Sequence, residues 1–206
     1  PVTRALDIDA IDDFLSLAYI PAPRTAWAGI AKLPAAWKIE VDAGGARQAR
    51  YWSLDDVRPS FQGSEEQAVD TLDGLIQDAV RLRLRSDVPL GVFLSGGIDS
   101  SLVTAVAARQ SKAIETFSIG FDVPEFDESG YAAAIAEHLG TEHRTFQARL
   151  DILDLMPQVV RQYGEPFGDS SSINVWQLSA FTRKHVTVAL GGDGGDEGFY
   201  GYEWYR

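Results

Sequence analysis

Apolar residues recur at three- and four-residue intervals over residues 8–19, IDAIDDFLSLAY, and predict a helix. Prolines and short apolar pieces follow, from Tyr19 through KIEVDAGG, and predict a loop and then a strand that ends in a turn at Asp42-Ala43-Gly44-Gly45. ARQARYWSL predicts the strand that answers it. Residues 53–63, SLDDVRPSFQG, are polar, contain a proline and a glycine, and read as a linker. At Ser64 the pattern changes. Ser64 and Gln67 stand at capping-box spacing, and apolar residues at 69, 72, 75, 76, 79, 80 and 82 or 84 continue a long helix.

From there strands and helices alternate. VPLGVFL (88–94) is a short apolar run and predicts a buried strand, followed by a helix over 100–110. The strand IETFSIGF, a helix over 128–139 and the strand EHRTFQA come next. Helices over 151–163 and 173–184 precede a last strand, HVTVAL. This alternation predicts an α/β fold: a parallel sheet flanked by helices on both faces. There is no internal repeat and no low-complexity segment.

Ligands of such folds bind at the carboxyl ends of the strands. Three loops occupy that place: SGGIDSS, FDVPEFDES and GGDGGDEG. In the first, Gly96 and Gly97 permit close backbone approach and aim N–H groups outward. The unpaired N–H groups of the following helix add partial positive charge. Ser95, Ser100 and Ser101 add neutral donors, so the loop suits a phosphate or pyrophosphate. No Gly-Lys-Ser/Thr follows, there is no GxGxxG, and no glycine stands where a GxSxG nucleophile elbow needs one. Asp99 inside a phosphate cradle implies a metal between the two anions, and Mg²⁺ is the expected one. The plainer account is a turn whose Asp99 and Ser100 cap a helix. The full S-G-G-x-D-S-S between strand and helix favours the phosphate site.

Composition narrows the classes. The 206 residues carry 30 acidic against 18 basic side chains, a net charge of −12, which repels phosphate backbones and argues against a nucleic-acid partner. The absence of cysteine excludes disulfides, a thiol nucleophile and thiolate metal sites within the chain. No apolar run reaches membrane-spanning length and no signal peptide is visible, so a cytoplasmic protein is expected. The three histidines, His138, His143 and His185, show no metal spacing and are read as structural. The chain opens on Pro1 and reads as an internal piece of a longer protein.

SGGIDSS is similar to the signature of the ATP pyrophosphatase loop enzymes. The ordered set VPLGVFLSGGIDSSLV, TFSIGF, FDES-x-YAAAIAEHLGTEH, GEPFGDSSSI and VALGGDGGDE resembles the glutamine-dependent asparagine synthetases. YIPAPRTAWAGIAKLPA and ARYW resemble the end of the glutaminase domain in that family. The resemblance implies an adenine nucleotide alpha hydrolase-like, Rossmann-like domain over 61–206. The tail of a glutaminase domain and a linker would occupy 1–60, and the rest of both domains would lie outside this stretch. It implies ATP and Mg²⁺, aspartate as the acid activated through an aspartyl-adenylate, ammonia derived from glutamine, and an assembly that includes a homodimer. A related ligase on another carboxylate, of the β-lactam synthetase kind, and a non-catalytic nucleotide-binding fragment stand as alternatives.

The same resemblance distributes roles. Ser95, Gly96, Gly97, Asp99 and Ser100 would hold the ATP phosphates, with Leu94 at the edge of the nucleotide site and the backbone of Ile119 meeting the adenine. Gly191 and Gly192 match a Ser-Gly pair that contacts the nucleotide, so a hydroxyl is lost at 191. Asp193 would lie near the acyl-adenylate, Asp196 would join Asp99 as a Mg²⁺ ligand, and Glu197 adjoins it. Asp169 and Ser170 to Ser172 match a loop on the substrate side, and read equally as a turn and cap. Asp127 and Glu128 are read as a helix cap. Gly198 and Tyr200 depart from the family's Leu-Phe-Gly-Gly-Tyr and alter the local geometry.

Overall fold

A computed structural model describes residues 5–111, 113–148 and 152–205. The chain divides into two units, Pro1–Gln62 with Asp151–Ser172, and Gly63–Leu150 with Ile173–Arg206.

In the first unit, helix α1 (Ile8–Leu17) is capped by Asp7, whose carboxylate accepts from the Ala10 N–H at 3.1 Å. It stops two residues short of the predicted end, because Ala18 turns left-handed (φ 64°). Ala10, Ile20 and Ala26 form a small core against Ile11, Phe14 and Trp27. The hairpin β1 (Trp37–Asp42) and β2 (Gly45–Arg50) pairs antiparallel through the expected turn. Helix α5 (Ile152–Tyr163) belongs to this unit, and its predicted first residue, Asp151, lies outside the described residues. The loop behind α5 is tied to the unit's N-terminal part. Glu165 pairs with Lys32 and accepts from the Ala26 N–H at 3.4 Å, and the Gly168 N–H donates to Ala18 O at 2.7 Å.

The second unit begins with α2 (Glu65–Arg83), whose capping box is formed as expected. Gln67 N–H donates to Ser64 Oγ, and Ser64 N–H to Gln67 Oε1. A four-stranded parallel sheet follows, built from β3 (Leu90–Phe93), β4 (Glu115–Gly120), β5 (Glu142–Gln147) and β6 (Val188–Leu190) in the order β5-β4-β3-β6. Its helices are α3 (Ile98–Gln110), α4 (Ser129–Leu139) and α6 (Ser171–Thr182), the last beginning in the first unit's segment. Helix α3 starts two residues earlier than predicted, so Ile98 and Asp99 lie in its first turn. Helix α6 is shifted two residues toward the N-terminus, where Asp169 accepts from the Ser171 N–H at 2.8 Å.

Val80, Val92, Val106, Ala107 and Ile114 form the main core, with Ile76, Leu84, Val103 and Leu190 against it. Only part of the apolar set of α2 joins it: Val69 and Leu75 stay more than half exposed. Phe117 of β4 is fully buried and meets Phe181 edge-on with ring centres 6.2 Å apart. Gly91 makes room for it, since a Cβ there would lie 2.6 Å from the Phe117 ring. Beside it a polar ladder runs between β4 and β5. His143 joins Thr116 through Nδ1 (2.9 Å) and Ser118 through Nε2 (3.1 Å). Burial lowers the imidazole's pKa from its ordinary value. His143 is thus a structural residue, as expected.

Candidate active site

Strand order decides where a ligand fits. The chain moves from β3 outward to β4 and β5, then returns to place β6 on the other side of β3. The order therefore reverses between β3 and β6, and in open parallel sheets the crevice lies at such a point, outside the carboxyl ends of the strands. The loops that leave these two strands are SGGIDSS and GGDGGDEG.

The first loop is held by its own hydroxyls. Ser95 N–H donates to Ser100 Oγ at 3.2 Å, and the two Oγ atoms are 2.9 Å apart. Gly97 N–H reaches Ser95 Oγ at 3.3 Å, while Ser100 and Ser101 donate to Gly97 O at 3.2 and 2.6 Å. Gly96 sits at φ +90°, where L side chains are rare, and a Cβ there would lie 2.8 Å from Tyr131 Cβ. Gly97 is the N-cap of α3 and offers no side-chain cap, so the first amides of the helix keep no side-chain partner of that kind. Ser95 and Gly97 are exposed and Ser100 is buried beneath them. The result is a short concave backbone with a helix dipole behind it, suited to a phosphate group.

The second loop nests into the first. A Cβ on Gly192 would lie 2.8 Å from Ser100 N and 3.0 Å from Asp99 Cβ, so only glycine permits this approach. Gly195 lies against the Asp99 carboxylate more closely still. The loop closes into a helical turn, α7 (Gly195–Phe199), rather than an extended acidic turn. Asp196 and Glu197 stand in its first turn, favourably placed toward the positive end of the peptide dipoles. The Asp193 carboxylate folds back over Gly191, where a side chain would collide with it. Glycine at 191 thus accommodates Asp193. The Asp196 carboxylate packs on Gly201, and Glu197 Oε1 accepts from the Tyr202 hydroxyl at 2.7 Å. That hydrogen bond lowers the Glu197 pKa, and Glu197 in turn pushes the Tyr202 phenol up to about 12.

The predicted residues fall as follows. Ser95, Gly96, Gly97, Asp99, Ser100, Gly192 and the residues around Asp196 share one end of the sheet. Leu94 lies beside them with its side chain wholly in the core, against Ala132 and Ala136, which leaves only its backbone for a ligand. Ile119 is half-buried in β4, one strand away from the β3–β6 crevice. Of the two acids read as a cap, Asp127 alone caps, accepting from the Ser129 N–H at 3.1 Å, and Glu128 makes no cap hydrogen bond. The Ser129 hydroxyl first, and then the Ser129 N–H, hold the Asp127 carboxyl below its ordinary pKa. Tyr202 stands at the tyrosine of the Leu-Phe-Gly-Gly-Tyr pattern, but its link to Glu197 was not readable, because it depends on how the chain reverses after α7.

The residue types at this end of the sheet are those that Mg²⁺ uses when a phosphate shares it. Among the described residues no three His, Cys, Asp or Glu side chains converge to hold a metal by themselves. Mg²⁺ is held by one or two carboxylates plus phosphate oxygens and water, and Asp99 and Asp196 are carried by the two nested loops.

Comparison with known proteins shows the family. The sequence model of the asparagine synthase family matches residues 71–206. A chain assigned as a glutamine-hydrolysing asparagine synthetase in Methanocaldococcus jannaschii is 37% identical over 199 residues, covering 94% of this chain and 38% of its own. Asparagine synthetase (glutamine-hydrolysing) 1 of Bacillus subtilis is 33% identical over 202 residues, covering 98% of this chain and 32% of its own. The chain therefore spans about a third of the length of these relatives. Among solved structures, a glutamine-dependent NAD⁺ synthetase from Acinetobacter baumannii in complex with ADP aligns at 22% identity and TM-score 0.43, over 71% of this chain and 29% of that one. With two thirds of its length matched by the model of that family, the chain belongs to the asparagine synthase family.

Proposed function

We propose that this chain carries the nucleotide half of an ATP-dependent amide-forming ligase. The ligase activates the side-chain carboxylate of aspartate as an adenylate with release of pyrophosphate, and ammonia derived from glutamine displaces AMP to give asparagine. The observation that carries this reading is the nesting of the glycine-rich acidic turn on the SGGIDSS loop, with Gly192 against Ser100 and Gly195 against Asp99.

The chemistry needs positioning and charge neutralisation more than a protein nucleophile. A carboxylate is a poor acyl donor, and its adenylate provides the leaving group. Ser95, Gly97 and the first amides of α3 would bind phosphate oxygens through neutral donors. Asp99 and Asp196 would hold Mg²⁺, which supplies charge neutralisation on those oxygens when bound. Asp193 would face the acyl group, and Ile119 would offer backbone to the adenine. Gly91 lets the Phe117 ring pack where β3 pairs with β4. In this reading the partners are ATP, aspartate, a glutaminase domain and the remainder of the synthetase domain, and the compartment is the cytoplasm.

Calorimetry with Mg·ATP tests the loop directly. The parent chain is expected to bind, and Asp99→Ala and Gly97→Val are each expected to lose binding at least tenfold while remaining folded. A folded parent that takes up no Mg·ATP would overturn the reading. In the complete enzyme, pyrophosphate release that depends on aspartate supports the synthetase, whereas release only with another acid identifies the related ligase. Glycine at 191 and tyrosine at 200, both departures beside Asp193 and Asp196, are the observations that keep the second outcome in play.

A further inference from the structure

Beyond the acids themselves, the chain that follows them is shaped to hold them. After α7 the backbone turns left-handed at Tyr200 (φ 58°) and reverses, so that the Gly201 N–H donates to Asp196 O at 3.0 Å. Gly201 then lies flat against the Asp196 carboxylate, in a space a methyl group could not share. The next residue places its phenol on Glu197 Oε1 at 2.7 Å. The ring of Tyr202 is itself braced by Tyr205, edge-on at 5.5 Å, and Tyr205 by Tyr200 at 5.6 Å. A flexible glutamate on a five-residue helix would otherwise sample several rotamers.

We propose that Tyr202 is a positioning residue of the acidic turn: its hydroxyl fixes the Glu197 carboxylate beside Asp196, with Gly201 as the seat for Asp196 and Tyr205 as the brace. The proposal rests on the ligase reading above and adds to it a residue that acts through Glu197 without touching the nucleotide. A tyrosine phenol is protonated at neutral pH, and here its O–H donates to the Glu197 carboxylate. The fixed carboxylate would shape the hydration and orientation of the Asp99–Asp196 metal site, as outer partners of metal ligands do.

The test is Tyr202→Phe, which removes one oxygen from a half-exposed ring and leaves the aromatic brace intact. Two readouts are taken at neutral pH. In the ligand-free chain, side-chain NMR relaxation of Glu197 is expected to show a carboxylate that becomes mobile in the variant. With nucleotide, the Mg²⁺ concentration needed for half-maximal ATP binding is expected to rise about tenfold, while thermal unfolding stays within a few degrees of the parent. A Glu197 that is equally ordered in the variant overturns the proposal, whatever the nucleotide result. A mobile Glu197 with an unshifted Mg²⁺ dependence also overturns it. A parent chain that binds no Mg·ATP removes the ligase reading and this proposal with it, and is recognised from the parent alone.

Discussion

Tyr200 holds φ 58° and ψ 39°, a conformation in which the side chain of an L-residue crowds the next carbonyl at a cost of about 1–2 kcal/mol. Its ring is largely exposed and gains little from packing. Tyr200→Gly is therefore expected to stabilise the chain by up to about 1 kcal/mol, the relief being partly offset by glycine's greater freedom when unfolded, as a higher urea midpoint would show. A lower midpoint would mean that the edge contact with Tyr205 outweighs the strain. Gly192 presents the opposite case. Alanine there must displace the Ser100 amide or the Asp99 backbone, and overpacking of this kind costs about 1–3 kcal/mol. Gly192→Ala is expected to weaken Mg·ATP binding more than it lowers stability, because the displaced atoms belong to the cradle. The glycines were legible as permissive positions. Which neighbour each one admits was not, since Gly192 meets Ser100 across more than ninety residues of chain.

At the scale of elements, the Ser64–Gln67 box and the hydroxyl ladder of β5 lead to separate measurements. Ser64→Ala removes one acceptor from the first turn of α2 and is expected to cost about 1 kcal/mol in chemical denaturation. His143 gives a pH signature. Its folded pKa is depressed by burial, so the neutral ring is favoured in the folded state. The stabilisation is then present above the ordinary histidine value of about 6.5 and is lost as pH falls through the lower folded value. Stability of the parent is expected to decline over that interval, and His143→Gln is expected to flatten the decline. Helices and strands were readable because capping and periodicity are local. The ends of α1, α3 and α6 moved by two residues because the left-handed backbone of Ala18, the extended backbone of Gly97 and the carboxylate of Asp169 set them. The order β5-β4-β3-β6 was not readable, because alternation predicts parallel strands without saying on which side of β3 the last one lies. The crevice depends on that order. So does the helical form of the acidic turn, whose glycines gave no helical pattern.

For the whole molecule, composition sets limits. No helix among the described residues is long and apolar enough to cross a membrane. The excess of acidic side chains, 30 against 18, makes the metal the natural companion of any phosphate bound here. Mg²⁺ removal by a chelator is accordingly expected to abolish ATP binding rather than reduce it slightly, and calorimetry with and without the chelator would show it. The division into units was harder to read. The linker over 53–63 marks a boundary near Gln62, but nothing in the pattern of 151–172 shows that this stretch packs with the first unit. The ties that place it there are single contacts, Glu165 with Lys32 and Gly168 with Ala18, and contacts of that kind have no periodicity.

Those ties bear on the order of synthesis. Three strands of the parallel sheet, β3 to β5, leave the ribosome before Glu165 and Gly168 exist. The unit that begins the chain is thus completed after most of the second has been made, and until then Lys32 keeps only its bond to the Ile20 carbonyl and the Ala18 carbonyl lacks its Gly168 donor. A ribosome-bound chain arrested at residue 148 should be readily cleaved by protease within residues 18–32, and one arrested well past residue 172 should resist. Folding from the amino end, domain by domain, is the ordinary order for a growing chain. Here the first unit closes around a segment that arrives late.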